Sequence, residues 1–260
     1  MNEPNPFDSP QAYVTEPEPK KWWQITVAEM IVIVLIVIVL IGLLLPPANM
    51  GSNCSRRTLS ANNLKNIGLA LHNYHDTYGS LPPAVVTDAE GRPLYSWRVL
   101  LLPFLEEQAL YDQFDLTQPW YSQTNRPLAD QIPDLLQSPY LDVEKNPAKT
   151  SYLAVIDPEN KQTVMLSQEG RSLDEVPCEL GNVVVVVEQI DHPVIWTKPE
   201  DISPFELIDV SPIGQNDLCY YPALFADVSV KWLPRDDPQQ LRACLTCQDT
   251  GQADETPAQE

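Results

Sequence analysis

The chain has 260 residues, with 36 Asp and Glu against 16 Lys and Arg and a formal net charge of -20. After residue 49 the count is 31 acidic against 14 basic residues, a balance that argues against nucleic-acid binding and disfavours docking on anionic lipid. Pro is abundant (26) and Gly sparse (9), which points to long, stiffened loops rather than a compact βαβ repeat.

In chain order, residues 1–21 carry Pro and acidic side chains without periodicity and are expected to form a disordered cytoplasmic tail. Residues 22–47 read as a transmembrane helix. Trp22 and Trp23 suit an interfacial belt, and Met30 to Leu45 is an unbroken apolar run. Glu29 opens that run, where a carboxylate is costly and so has a reason to be present. Orientation is not fixed by charge, since Lys20 and Lys21 precede the run while Arg56, Arg57 and Lys65 follow it. Pro46-Pro47-Ala48 is a poor cleavage site, which favours a retained helix over a removed signal peptide.

Residues 48–234 are expected to form one domain. Leu64, Ile67, Leu71, Tyr74 and Tyr78 recur at helical spacing, and Gly79 with Pro82-Pro83 ends the pattern. Ser96 to Phe114 reads as one or two short helices broken near Pro103, and 117–150 as a Pro-punctuated loop region. Strands are predicted at Ser151–Ile156, Thr163–Leu166, Val183–Gln189 and Val194–Trp196, with a hairpin over Ala223–Leu233. The run Val183–Val187 suits a strand buried on both faces. Residues 235–260 read as an acidic, flexible tail. Helix first and strands later implies an α+β fold with a mainly antiparallel sheet.

Several segments together resemble a known family. They are Asn62-Asn63-Leu64-Lys65-Asn66-Ile67-Gly68-Leu69-Ala70-Leu71-His72-Asn73-Tyr74-His75-Asp76-Thr77-Tyr78-Gly79 with Leu81-Pro82-Pro83, then Ser96-Trp97-Arg98-Val99-Leu100-Leu101-Leu102-Pro103, Thr150-Ser151-Tyr152-Leu153-Ala154-Val155, Trp196-Thr197-Lys198-Pro199-Glu200-Asp201 and Leu224-Phe225-Ala226-Asp227-Val228-Ser229-Val230-Lys231. In this order they resemble the bacterial pseudopilin-like DUF1559 proteins, which carry a C-terminal "H-x9-DG" signature. The resemblance implies a pilin-like fold: a long N-terminal helix, half embedded in the membrane and half amphipathic, packed on an antiparallel sheet. It implies a bacterial inner-membrane protein, single-pass, with its C-terminal domain periplasmic or at the cell surface. Its partners would be membrane lipid and other pilin-like subunits or copies of itself. It also aligns Glu29 with the pilin glutamate that pairs with a neighbouring subunit's N-terminal amine. Asn63, His72, Tyr74, His75, Asp76, Trp97, Asp217 and Asp227 fall on family-motif positions and are expected to be structural.

The chain departs from that pattern. Gln24 stands where a prepilin peptidase expects Gly. Asp217 replaces the signature His. Val228 replaces the signature Gly, so the hairpin turn is expected to differ or lengthen. Ser138-Pro139-Tyr140 replaces the family's Cys-Pro-Ser.

The remaining candidates have bland readings. His72 and His75 could form one edge of a metal site, but only His192 remains to complete it, so polar contacts between helix and loops are the reading. Cys244-x-x-Cys247 suggests a local disulfide or free thiols, Cys178 and Cys219 a bridge in the sheet region, and Cys54 a link between copies. Neither a catalytic constellation nor a cofactor or metal motif stands out. The expected function is a non-enzymatic membrane protein displaying an acidic domain, as a pseudopilin or surface-assembly component. The alternative is an extracytoplasmic solute- or polymer-binding module.

Overall fold

The computed structural model describes residues 26–44, 52–159, 161–209 and 220–247, in two units, one within Met1–Gly51 and one within Ser52–Glu260. The expected tail 1–21, Gln24, Asp217 and Cys219 lie outside the described residues.

The first unit contains α1, Val27–Leu44. Its side chains are described as far as Val37, and those of Val27 and Met30 through Val37 are exposed. Over the described residues, no helix is long and apolar enough to cross a membrane.

The second unit opens with α2, Ser52–Tyr78. There follow β1 (Val85–Thr87), β2 (Pro93–Ser96), α3 (Trp97–Leu100) and α4 (Gln108–Tyr111). After a loop region come β3 (Lys149–Thr150), β4 (Tyr152–Ala154), β5 (Val184–Glu188), β6 (Val194–Ile195) and α5 (Pro204–Asp209). The hairpin β7 (Tyr220–Phe225) and β8 (Val230–Pro234) leads to α6 (Pro238–Leu245). The fold is α+β. Its main sheet has four antiparallel strands in the order β4-β5-β7-β8, and β1-β2 and β3-β6 form two small antiparallel pairs.

The sheet has a core on each side. Leu64, Ile67 and Leu71 of α2 share one with Val185, Val186 and Leu224, while Leu207, Leu241 and Leu245 of α5 and α6 share the other with Val184 and Val187. Every residue of β5 is buried, as its run of valines predicts. Its side chains do not alternate strictly: Val185 and Val186 both face the α2 side. A bulge between Val184 and Val186 accounts for this, because one extra residue reverses the facing of everything after it. That reversal puts Glu188 on the α2 side. The free edge of β4 is covered by the 202 segment, through Ile202 N–H to Ala154 O (3.1 Å) and Ile156 N–H to Ile202 O (3.0 Å).

Two expectations are corrected, and one pair of strands is new. Thr163–Leu166 forms no strand. Its backbone carbonyls bond instead to Arg171, to the Thr163 hydroxyl and to Ala84 N–H, so no ladder remains to be made. The expected flexible tail from 235 is ordered as far as Cys247: Asp237 caps α6 through Gln239 and Gln240 N–H, and Leu241 and Leu245 are buried. The β1-β2 pair was not anticipated, because Val85–Thr87 and Pro93–Ser96 are too short to show a period.

Candidate functional site

The chemistry-bearing side chains of the second unit gather in two buried knots that share Tyr152. In the first, Glu188 of β5 accepts the hydroxyls of Ser60 on α2 and Ser138 in the 132–140 loop. Asn63 of α2 donates through Nδ2 to Tyr152 Oη and to Gln137 O, each at 3.2 Å. Burial pushes the Glu188 carboxyl above the ordinary carboxylate range, while the hydroxyls of Ser138, Ser60 and Tyr152 pull against it. The same burial, together with the charge on Glu188, pushes the Tyr152 phenol well up.

In the second knot, Asp201 Oδ1 accepts from Arg98 Nη2 (2.7 Å), Trp97 Nε1 (3.1 Å) and Ala154 N–H (2.8 Å). The Arg98 guanidinium also donates to Tyr152 O from Nε (3.0 Å) and Nη2 (2.8 Å), and to Ser96 Oγ from Nη1 (2.6 Å). Arg98 and Asp201 are both fully buried. Burial pushes the Asp201 carboxyl up and the Arg98 guanidinium opposes it; a guanidinium does not give up its proton in proteins, so Arg98 keeps its charge. One carboxylate thus ties together three sequence segments, Ser96-Trp97-Arg98, Tyr152-Leu153-Ala154 and Glu200-Asp201.

Outside Asp201 lies a cleft of about 630 Å³. Its wall includes Asp191, His192, Glu200, Phe205, Glu206 and Asp209. Phe205 is exposed there. Three of the carboxylates have cations of this chain beside them: Arg235 on Asp191 (2.5 Å), Lys198 on Glu200, and Arg98 on Asp201.

The other predicted residues sit elsewhere. His72 Nε2 bonds Ala226 O at 2.8 Å and so donates, pinning the β7-β8 turn to α2. His75 Nε2 accepts from Leu173 N–H at 3.2 Å, so its proton is on Nδ1, on the side of Asp76 at 3.8 Å. The two imidazoles thus use Nε2 in opposite senses, one donating and one accepting, and face different loops, as two structural contacts. Among the described residues no group of three or more His, Cys, Asp or Glu is placed to hold a metal ion. Tyr74 packs on Tyr78 (ring centroids 4.5 Å apart) and Phe104 (5.7 Å). Asp227 Oδ1 accepts Ser229 N–H (2.9 Å) and Oγ (2.5 Å) inside the hairpin turn. That turn is three residues long: Val228 N–H bonds Phe225 O, Phe225 N–H bonds Ser229 O, and Val228 sits in the left-handed region at φ 68°.

The cysteines pair as Cys178–Cys247, across a sequence separation of 69. This replaces the local Cys244–Cys247 reading and takes Cys178 away from Cys219. Cys244 packs against the α5-α6 core and Cys247 belongs to the α2-side core, so the C-x-x-C thiols are divided between two cores. Cys54 is free and exposed, and burial pushes the free Cys244 thiol up.

Glu188, Asp201, Arg98 and Ser138 carry the two knots; Arg98 and Asp201 lie in the motif segments and Ser138 in the segment that replaces the family's Cys-Pro-Ser, all without an expected role, and Glu188 lies outside them. The available signal was a carboxylate ending a run of valines, since such a strand is buried and a buried carboxylate needs donors.

Residues 53–171 match the family model described as "Protein of unknown function (DUF1559)", the family that the motifs resemble. Neither the curated proteins nor the solved structures contain a match.

Proposed function

We propose that this chain, a DUF1559 protein over residues 53–171, is a non-enzymatic single-pass membrane protein that displays an acidic, pilin-like domain outside the cytoplasm. One observation carries the reading. α1 is an 18-residue helix with one charged residue, Glu29 in its first turn, and its described side chains from Met30 to Val37 are apolar and exposed. In the sequence the apolar run continues to Leu45, beyond the described side chains, and with Val27 and Ala28 it comes close to the ~20 residues that span a bilayer core. The Cys178–Cys247 disulfide supports an oxidising compartment for the domain. The packing of α2 on an antiparallel sheet supports the pilin-like reading. Lipid is then the first partner, and other pilin-like subunits or further copies the second, as in a pseudopilin or surface assembly.

The test is alkaline-carbonate extraction of membranes carrying the full chain. Retention in the membrane pellet is expected, and release into the supernatant would sink the proposal.

The cleft beside Asp201 favours a second reading, an extracytoplasmic solute-binding module. Its volume is in the range of ~300–1,000 Å³ used by small-ligand sites, and Phe205 offers an exposed apolar wall. A solute that raises the melting temperature of the wild type but not of Phe205→Ala would support it; equal shifts in both would remove the cleft from consideration.

A further inference from the structure

We infer that Glu29 caps its own helix, and that its task is to accept a hydrogen bond rather than to carry a charge for a neighbouring subunit. The inference rests on the membrane reading above for where this helix end lies. α1 begins at Val27, which makes Thr26 its N-cap and Glu29 the third helical residue. Thr26 N–H donates to Glu29 Oε2 at 2.8 Å, and Glu29 N–H points back to Thr26 Oγ1 at 3.4 Å. Met30 N–H to Thr26 O (3.0 Å) is the first helical bond. This is the reciprocal pair of a T-x-x-E capping box, which satisfies two backbone amides that a helix start otherwise leaves open.

The placement gives the cap its value. One residue after Glu29 the apolar run begins, and an unsatisfied amide at the edge of hydrocarbon costs more than one in water. A carboxylate there also faces the positive end of the helix dipole. The cost of an acid at the head of an apolar helix is thereby offset within a single chain. The described side chains that follow, Met30 to Val37, are all exposed and present no polar stripe. Acyl chains fit that surface as it stands.

Charge and acceptor can be separated. A capping box works with Gln at this position, whereas a subunit-registering ion pair does not. The experiment is amide hydrogen exchange on the full chain in vesicles of phosphatidylethanolamine and phosphatidylglycerol, comparing wild type, Glu29→Gln and Glu29→Ala. Glu29→Gln is expected to keep the Thr26 amide as protected as in the wild type. Glu29→Ala is expected to speed its exchange by about fivefold to tenfold, the effect of losing a typical cap. Thr26→Val is expected to speed exchange at the Glu29 amide in the same way. If Glu29→Gln exchanges as fast as Glu29→Ala, the charge is what matters and the inference is wrong. If Glu29→Ala is as slow as the wild type, the cap does not exist in the membrane. Carbonate retention of the wild type is read separately, so the membrane reading and the cap can fail independently.

Discussion

At the scale of single residues, two carboxylates decide how the domain is held. Asp201 neutralises the fully buried Arg98 and accepts from Trp97 and Ala154 as well. Asp201→Asn keeps an acceptor but leaves the guanidinium uncompensated. We expect a loss of about 3–5 kcal/mol in urea unfolding, the usual result of breaking a buried ion pair from one side. A loss below about 1 kcal/mol would mean that the knot is not a load on the fold. Glu188 behaves differently. Its native carboxyl is held above its unfolded value of about 4.3, so its contribution to stability is full below that value and is lost as pH rises through the raised native value. Glu188→Gln is nearly isosteric and does not titrate. Between those two values its stability is therefore expected to fall less steeply with pH than that of the wild type. Parallel stability–pH curves would contradict the assignment.

At the scale of elements, α2 and the β7-β8 hairpin meet at close range. Val228 occupies the left-handed position of the turn, a conformation that costs a non-glycine residue about 1–2 kcal/mol. The opposing residue on α2 is Gly68, where an added Cβ would lie 2.8 Å from Leu224 Cδ1 and 3.0 Å from Val228 Cγ1. Gly68→Ala would gain up to ~1 kcal/mol of helix propensity. Overpacking costs ~1–3 kcal/mol, so a net loss of about 1 kcal/mol is expected. The loss should shrink when Val228→Gly is also present, since that removes one of the two clashes; strictly additive effects would show that helix and turn do not meet as described. The sequence made much of this level legible. The amphipathic spacing of α2, the valine strand and the hairpin are all present, because each is long enough to show its period. The β-bulge was not legible, because five identical valines carry no marker of where an extra residue sits, and it is the bulge that turns Glu188 toward Ser60. The order of 235–247 was also hidden. Its composition is polar, but two leucines four apart and a capping Asp are enough once a sheet face is waiting for them.

At the scale of the whole molecule, the matched family segment, residues 53–171, holds only part of each knot. Ser60, Asn63, Arg98, Ser138 and Tyr152 lie inside it, while Glu188 and Asp201 lie beyond. Both knots therefore join the matched segment to later parts of the chain, β5 and the 200–202 segment, and the Cys178–Cys247 disulfide fastens the end of α6 into the same body. The domain's place in the cell is the central claim, and Cys54 reports on it directly. It is free and exposed on α2. In a full-length chain with Cys219 and Cys244 replaced by Ser, only Cys54 should react with a membrane-impermeant maleimide, because Cys178 and Cys247 are tied to each other. Labelling of intact spheroplasts without detergent is the predicted result and places the domain outside the cytoplasm. Labelling only after the membrane is dissolved would put the domain inside and contradict the account.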